Sequence, residues 1–460
     1  MKIALFVHCF FPGHFYGTET YTLELARNLK DMGHEPIVVS AIFPGEPKAE
    51  KVITRYECEN IPVYCLDKNY CPDTRIKDTY YQPEIRKLLR GLLIDIKPDI
   101  VHVTHLINHT AVLLEVVAES GIPLVATLTD FFGFCFNNKL EAADSSLCSG
   151  PDKARTNCLA CLLKAQGQSS GSTFFQRLAG RYPWSFIVAI VANYIRRVPG
   201  LRSGKLAGFV LDITMRPDIL GECYSHYRTV IAPTKFLRDA YVANGLKVPI
   251  HLLPFGVDLP RLPKLLKNSD SPVKFGFIGQ IAPHKGVDIL VDAFCLLPGG
   301  SAELHVFGPE NQYPEYVADL KKGSAGFAVF FRGTFPKEKM ADVFSELDFL
   351  VIPSRWYENS PLVLLNALAS HTPVIISDVE GMTEFVEEGR NGFIFARGKP
   401  DELKKVLEKI VSEPERSRGM SLTTGYPRTT RMMVENVLDV YRSLVIDKVS
   451  GINLTASCES

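Results

Sequence analysis

The chain has 460 residues, of which 46% are hydrophobic and 22% charged, and its 51 Lys and Arg balance 51 Asp and Glu for a formal net charge of +0. This is the composition of soluble globular protein and excludes disorder, collagen and coiled coil. A neutral balance supplies no overall field for a polyanion, which argues against nucleic acid as a partner.

At roughly 150 residues per domain the length allows about three domains, or two large α/β ones. Lys2 and the apolar run Ile3 to Phe11 have the look of an export signal, but His8 interrupts the run and Pro12-Gly13 ends it without a small-residue cleavage site, so it reads as a buried strand. The next stretch, Thr18 to Met32, places Thr22, Leu25, Ala26, Leu29 and Met32 on one helical face before Gly33. Ile37 to Ser40, Ile100 to Val103, Leu124 to Thr127, Val230 to Ala232 and Ile250 to Leu253 are further β runs, with a helical run from Ala111 to Glu119 among them. This alternation predicts a parallel sheet covered by helices on both faces.

From about Cys135 to Leu220 an insertion interrupts the pattern. Residues 162 to 220 carry eight Lys or Arg against two Asp, with Phe174, Phe175, Trp184, Phe186 and Ile187 interleaved. Two readings stay open: an interfacial surface resting on anionic lipid, or a helical hairpin covering the first domain with its charges solvated. Trp184 to Ile195, the most lipid-like run, is about half of the roughly 20 residues a membrane-spanning helix needs.

A linker follows at Leu259 to Pro272, and the alternation restarts with strands at Phe275 to Ile278, Leu304 to Phe307, Val329 to Arg332, Phe349 to Ile352 and Val374 to Ser377. Helices are expected from Val287, Lys337, Pro361 and Asp401. The reading is two doubly wound domains, 1–260 (with the insertion at 135–220) and 272–426, and a terminal helix over 427–447 packing back on the first. Such sheets bind ligands beyond the carboxyl ends of their strands, so a cleft faced by both domains is the expected site.

Within the second domain, Pro353 to Pro373 is the most informative segment. A strand ends, a loop carries Glu358, and Ser360-Pro361 reads as an N-cap and first-turn proline. Free N–H groups at that helix start, Leu362 included, suit a diphosphate, and Glu358 beside them suits sugar hydroxyls. Asn366 lies two turns further in.

Cys135, Cys148, Cys158 and Cys161 have the spacing x12, x9, x2 and end in a Cys-x2-Cys knuckle. In a reducing compartment four thiolates suggest zinc first and an iron–sulfur cluster second, and unpaired buried thiols are the alternative. Cys58, Cys65 and Cys71 form a looser set better read as ordinary thiols. His102, His105 and His109 have no fixed helical geometry that would align them on a metal; His102 and His105 are expected to line the acceptor side of the cleft.

The Glu358 segment resembles the Glu-x7-Glu signature of the retaining GT-B glycosyltransferases, and specifically glycosyltransferase family 4. Tyr16-Gly17-Thr18-Glu19 is similar to that family's Gly-Gly-x-Glu loop. Pro98 to His102, Ile231 to Thr234, Pro254 to Asp258, Gly279 to Gly286, Phe307-Gly308, Phe331 to Gly333, Gly381 to Glu384 and Asn391 to Phe393 follow in the family's order. The Cys-rich loop resembles one carried by a subgroup. The resemblance implies a GT-B fold and transfer of a sugar, with retention, from a UDP- or GDP-sugar to a glycan or lipid-linked acceptor, in cell-surface polysaccharide or glycolipid synthesis. It requires no cofactor for the chemistry. Without an export signal the expected place is the cytoplasm, and on its interfacial reading the basic, apolar insertion touches the inner face of the membrane.

By the same resemblance Lys285 clamps phosphate, Glu358 orients the donor sugar, and Asp130 belongs to the catalytic set. Gly17, Gln280, Gly308, Gly333, Ser360, Pro361, Leu362 and Asn366 line the donor, and Phe331 to Phe335 lies where the family holds the base. Three departures stand out. Gln280 takes the place of an arginine, Asn366 that of the second glutamate, and Thr129 that of the histidine before Asp130. Replacing a charge-assisted bond by a neutral one costs roughly tenfold in affinity each time. The rival expectation is a non-catalytic GT-B protein that binds a sugar or a partner.

Overall fold

A computed structural model describes residues 1–168, 172–195, 198, 205–259 and 271–456. Residues 260–270 of the expected linker, and parts of the basic insertion, lie outside the described residues. The chain divides into two compact units, Met1–Pro254 with Arg431–Ser460, and Phe255–Thr430.

The first unit holds an eight-stranded sheet built from β1 (Lys2–Phe6), β2 (Glu35–Ile42), β3 (Ile53–Cys58), β4 (Ile61–Asp67), β5 (Ile100–Val103), β6 (Leu124–Thr127), β7 (Thr229–Ala232) and β8 (Ile250–Leu252). Their order is β3-β4-β2-β1-β5-β6-β7-β8, and every pairing is parallel except β3 with β4. That hairpin departs from the expected all-parallel sheet. Its two-residue turn is Glu59-Asn60, both at positive φ (52° and 59°), which is the backbone a tight hairpin needs. β5, β6 and β7 are buried throughout, as strands covered on both faces must be.

The helix Gly17–Asp31 buries Tyr21, Thr22, Leu25, Ala26 and Leu29, the face its periodicity predicts. The terminal helix, Thr430–Ala456, is longer than expected and belongs to the first unit, where it buries Val434, Val437, Leu438 and Tyr441. In the insertion, the helices Thr156–Gln168, Trp184–Ile195 and Lys205–Thr214 share a small core of Leu159, Leu162, Ala189, Ala192, Val210 and Ile213.

The second unit holds a parallel six-stranded sheet of β9 (Val273–Ile278), β10 (Ala302–Phe307), β11 (Val329–Gly333), β12 (Phe349–Ile352), β13 (Val374–Ser377) and β14 (Gly392–Phe395), in the order β11-β10-β9-β12-β13-β14. Counted within the unit this is the 3-2-1-4-5-6 order of a dinucleotide-binding fold. Its core is Phe275, Leu290, Leu304, Phe349, Val351, Ile375 and Leu407. The strand order reverses between β9 and β12, and a crevice at their carboxyl ends is where such a sheet takes its ligand.

Candidate active site

In the second unit the two strands flanking the reversal each deliver one charged residue. After β9 the chain makes a single turn, Pro283–Lys285, and enters the helix Val287–Phe294 through Gly286. Gly286 sits at φ +70°, and a Cβ there would lie 2.0 Å from the carbonyl oxygen of Pro353, so the turn closes against β12 only without a side chain. After β12 the loop Pro353–Ser360 carries Glu358, which is 7% exposed.

Three donors converge on one oxygen of that carboxylate. Glu358 Oε1 accepts from Lys285 Nζ at 2.7 Å, Ser354 Oγ at 2.8 Å and Trp356 Nε1 at 3.1 Å. Among the described residues Oε2 accepts from none, which leaves it for a ligand. Lys285 also lies 5.4 Å from the centre of the Trp356 ring, and His284 packs on the same ring at 3.8 Å. From the far side Gly381, at φ +85°, presses so closely that a Cβ would fall 1.5 Å from the Glu358 carbonyl oxygen. Ser354, Trp356, Gly286 and Gly381 are supporting residues that the sequence reading passed over or left without a role. Their signal was present in the short range: Ser354 and Trp356 precede Glu358 by four and two residues in one loop.

The helix beyond Glu358 starts differently from expectation. It spans Leu362–Ala369 with Pro361 as its cap, and no side chain caps it. Ser360 is not the N-cap: it is 2% exposed, adopts φ +58°, and its hydroxyl has no hydrogen-bond partner among the described residues. A capping serine needs an extended backbone; at φ +58° Ser360 turns the chain instead, and the helix starts after Pro361. Leu364 N–H and Leu365 N–H return to the Pro361 carbonyl at 3.0 and 3.4 Å, and the N–H groups of Leu362 and Val363 are left at the positive end of the helix. Asn366 is half-buried on the same helix.

The glycines read as donor-binding form a floor at the carboxyl ends of β9, β10 and β11. Gly308 N–H bonds the Gly333 carbonyl at 2.9 Å, and a Cβ on Gly308 would lie 2.0 Å from the carbonyl oxygen of Gly279. Gln280 gives its amide to Gln312 Oε1 at 2.7 Å and brings no charge. Phe335, in the segment expected at the base, packs edge-on to Phe307 with ring centres 5.4 Å apart.

The remaining predicted residues lie in the first unit. Gly17 opens its helix with no atom within 4 Å of an added Cβ, so nothing in the folded chain requires glycine there. Asp130 accepts from Phe132 N–H at 3.0 Å, and its Oδ2 lies 2.8 Å from His105 Nε2. A histidine from the neighbouring strand's loop thus stands beside Asp130, while Thr129 gives its hydroxyl to the Thr104 carbonyl.

His102 does not line an open site. It is fully buried between Thr127 Oγ1, at 2.9 Å, and the Tyr441 hydroxyl of the terminal helix, and burial pulls its pKa down to about 3. It lies on β5, buried on both faces, whereas His105 lies past the strand's end. His109 is equally buried and bonds the Val7 carbonyl at 2.8 Å.

Beside His105 the structure assembles a group that sequence spacing did not reveal. His8 Nε2 and Cys9 Sγ lie 3.1 and 2.9 Å from Glu19 Oε1, and His8 packs on His105 with ring centres 4.2 Å apart. Burial holds His8 well below the usual histidine range, and burial together with Glu19 pushes the Cys9 thiol far up. Cys9 is therefore a hydrogen-bond donor to Glu19. Among the described residues, these three are the one set of possible metal ligands whose ligand atoms all lie within 4.8 Å of one another; the four loop cysteines do not form such a set. The loop cysteines are free thiols in one neighbourhood, and burial followed by Cys135 and Cys148 pushes Cys161 up to about 12.

Comparison with known proteins identifies the domains and the fold. Residues 15–140 match the family model described as Glycosyltransferase Family 4, and residues 261–422 the one described as Glycosyl transferases group 1. Solved structures cover nearly the whole chain: sucrose-phosphate synthase from Thermosynechococcus elongatus (TM-score 0.63, 15% identity, 97% of this chain and 99% of that one), and WaaG, a glycosyltransferase involved in lipopolysaccharide biosynthesis (TM-score 0.56, 16%, 95% and 99%). Both halves match glycosyltransferase domain models, and the fold is GT-B.

A third neighbour, Anabaena HepE in complex with UDP and glucose, overlays on this GT-B chain with TM-score 0.58 at 15% identity, over 96% of this chain and 100% of that one. Curated relatives are shorter matches. An uncharacterized glycosyltransferase of Methanocaldococcus jannaschii is 28% identical over 208 residues, 44% of this chain and 56% of the relative. The D-inositol 3-phosphate glycosyltransferase of Nocardia farcinica is 31% identical over 158 residues, 32% of this chain and 34% of the relative. The chain thus spans about half or less of the curated relatives it matches.

Proposed function

We propose that the protein transfers a sugar from a nucleoside-diphosphate donor to an acceptor hydroxyl with retention at the anomeric carbon. The carrying observation is the Lys285–Glu358 contact at the point where the second sheet reverses, in the loop that leads into the helix start at Leu362 and Val363. Departure of a diphosphate demands cationic and N–H stabilisation more than it demands a protein nucleophile. In this reading Lys285 turns from Glu358 to the diphosphate, the Leu362 helix start takes the phosphate oxygens, and the unoccupied Oε2 of Glu358 takes sugar hydroxyls. The leaving diphosphate accepts the acceptor's proton. Gly308 and Gly333 let the donor approach the backbone, and a uridine donor is supported by the complex of HepE with UDP.

The acceptor reading rests on the first unit, where His105, Asp130 and Gly17 stand at the carboxyl side of its sheet. The helix Trp184–Ile195 turns its small residues Ser185, Ala189 and Ala192 inward and leaves Trp184, Ile187, Ile190, Val191 and Tyr194 exposed, with Phe174 and Arg177 on the preceding helix. Exposed apolar stripes of this kind beside arginine suit an anionic lipid surface, which supports a lipid-linked acceptor and a role in glycolipid or cell-surface polysaccharide synthesis. Among the described residues no helix is long and apolar enough to cross a membrane. We place the protein on the cytoplasmic face.

The second reading, a binding protein without turnover, is favoured by Gln280, whose amide is already engaged by Gln312 and which brings no charge to a diphosphate. A panel of UDP- and GDP-sugars, assayed for hydrolysis and for the anomeric configuration of the transferred sugar by NMR, separates the two. Release of nucleoside diphosphate with a retained anomer supports transfer; binding without release supports the second reading.

A further inference from the structure

From Leu128 to Arg155 the chain forms neither helix nor strand beyond one isolated bridge, Glu141 with Leu147, although Phe131, Phe132, Phe134 and Leu140 are buried along it. A stretch this long without its own structure, inside a packed unit, needs another tie.

Hydrogen bonds connect its cysteines in two short chains. Cys135 Sγ donates to Asn137 Oδ1 at 2.9 Å, Asn137 Nδ2 donates to the Glu141 carbonyl at 2.6 Å, and Cys161 Sγ donates to the same carbonyl at 3.6 Å. Gly150 N–H and Asn157 Nδ2 point at Cys148 Sγ from 3.4 and 3.7 Å, and Asn157 is the residue before Cys158. The four cysteines are free thiols, and Cys135, Cys148 and Cys161 donate to oxygen atoms of the same loop. Cys158 and Cys161 lie three residues apart at the start of the helix Thr156–Gln168, on one side and at the positive end of its dipole.

Arg216 is an independent observation. It is 3% exposed, its Nη2 donates to the Phe132 carbonyl at 2.7 Å, and its Nη1 has no hydrogen-bond partner among the described residues. Among the described residues no carboxylate pairs with it; its guanidinium lies over the rings of Phe132 and Tyr80, with Cys135 and Cys158 nearby. A buried guanidinium without an anion costs several kcal/mol. Four thiolates on one divalent cation form a dianion, and that dianion is the counter-charge Arg216 lacks.

We propose that Cys135, Cys148, Cys158 and Cys161 bind one zinc ion as a tetrathiolate, with buried Arg216 as its counter-cation, and that this centre fixes the segment carrying Asp130. Binding releases the four thiol protons to solvent. A tetrathiolate zinc site has Zn–S bonds of about 2.3 Å, so the four sulfurs draw together on binding. The link to Asp130 is short. Cys135 N–H bonds the Phe131 carbonyl at 2.8 Å, Phe132 N–H bonds Asp130 Oδ1 at 3.0 Å, and Arg216 holds the Phe132 carbonyl.

The test uses the full chain purified anaerobically, with metal counted by mass spectrometry and a chelator competition. The proposal expects about one equivalent of zinc, its loss in Cys158→Ser, and affinity about tenfold weaker or worse in Arg216→Met, with recovery in Arg216→Lys. Because Cys158→Ser risks misfolding, cobalt exchanged into the wild-type protein gives a second readout: the visible bands and sulfur-to-metal charge transfer of a tetrathiolate. Under about half an equivalent of metal, iron with inorganic sulfide in place of zinc, a cobalt spectrum without four thiolates, or unchanged affinity in Arg216→Met would each overturn it.

Discussion

Lys285 and Glu358, 73 residues apart in sequence, meet at 2.7 Å because each follows a strand that flanks the reversal of the second sheet. One oxygen of Glu358 is saturated by Lys285, Ser354 and Trp356, and the other accepts from no described residue. This division leaves a carboxylate with one oxygen for the fold and one for a ligand.

Gly381→Ala forces a methyl group to within 1.5 Å of the Glu358 carbonyl at a φ of +85°. The variant should lose about 2 to 4 kcal/mol of second-unit stability in urea unfolding. Gly17→Ala, with no atom within 4 Å of its Cβ, should leave stability within about 0.5 kcal/mol of wild type or raise it. If Gly17 makes room for a ligand backbone contact, the same substitution lowers transfer. Equal stability losses at the two positions would contradict this account of their difference.

His105 and His102 should separate function from folding. His105→Ala removes the partner of Asp130 and should lower turnover by about tenfold to a hundredfold with a small change in unfolding midpoint. His102→Ala removes a buried bridge between Thr127 and Tyr441 and should cost about 2 kcal/mol or more, mainly in stability. Paired activity and denaturation measurements on each variant check this, and the reverse pattern would refute it.

Acid should destabilise the first unit in a defined window. His102 and His109 are held neutral by burial, with pKa values of about 3 and about 4. Their folded values lie below the unfolded one of about 6.5. The unfolded chain therefore takes up protons first, and stability is complete above that value and falls as pH drops through it. Each histidine contributes about 1.4 kcal/mol per pH unit until its folded pKa is reached. His102→Gln should be less stable at neutral pH and show a shallower loss between pH 6.5 and 4, measured by urea unfolding against pH.

The exposed stripe of the helix Trp184–Ile195 should bind vesicles. Trp184→Lys with Ile187→Glu changes two exposed positions and should weaken binding to anionic vesicles at least about tenfold in co-sedimentation, with the unfolding midpoint unchanged. Undiminished binding would assign the stripe another partner.

Much of this architecture was readable from local patterns, because strands buried on both faces write themselves as apolar runs and the helices keep their period. The β3–β4 hairpin was missed because Glu59-Asn60 lacks the usual glycine signal, although Asn60 tolerates the left-handed backbone. The helix starts after Pro361 and not at Ser360, whose left-handed backbone, set by the tertiary fold of its loop, is not the extended one a serine cap needs. Periodicity places His102 on a strand and His105 beyond it, but only the tertiary packing of the Tyr441 helix shows that one is sealed and the other meets Asp130. The His8–Cys9–Glu19 group and the guanidinium of Arg216 depend on long-range proximity, which spacing does not encode.

The most direct test of the central claim is a double-mutant cycle on Lys285 and Glu358, reading kcat/KM for the donor sugar that a UDP- and GDP-sugar panel selects. If both residues act on one bound donor, Lys285→Met and Glu358→Gln each lower it by about a hundredfold to a thousandfold, and the double variant is little worse than the weaker single one. Full activity in either single variant, or losses that multiply, would contradict a shared donor site.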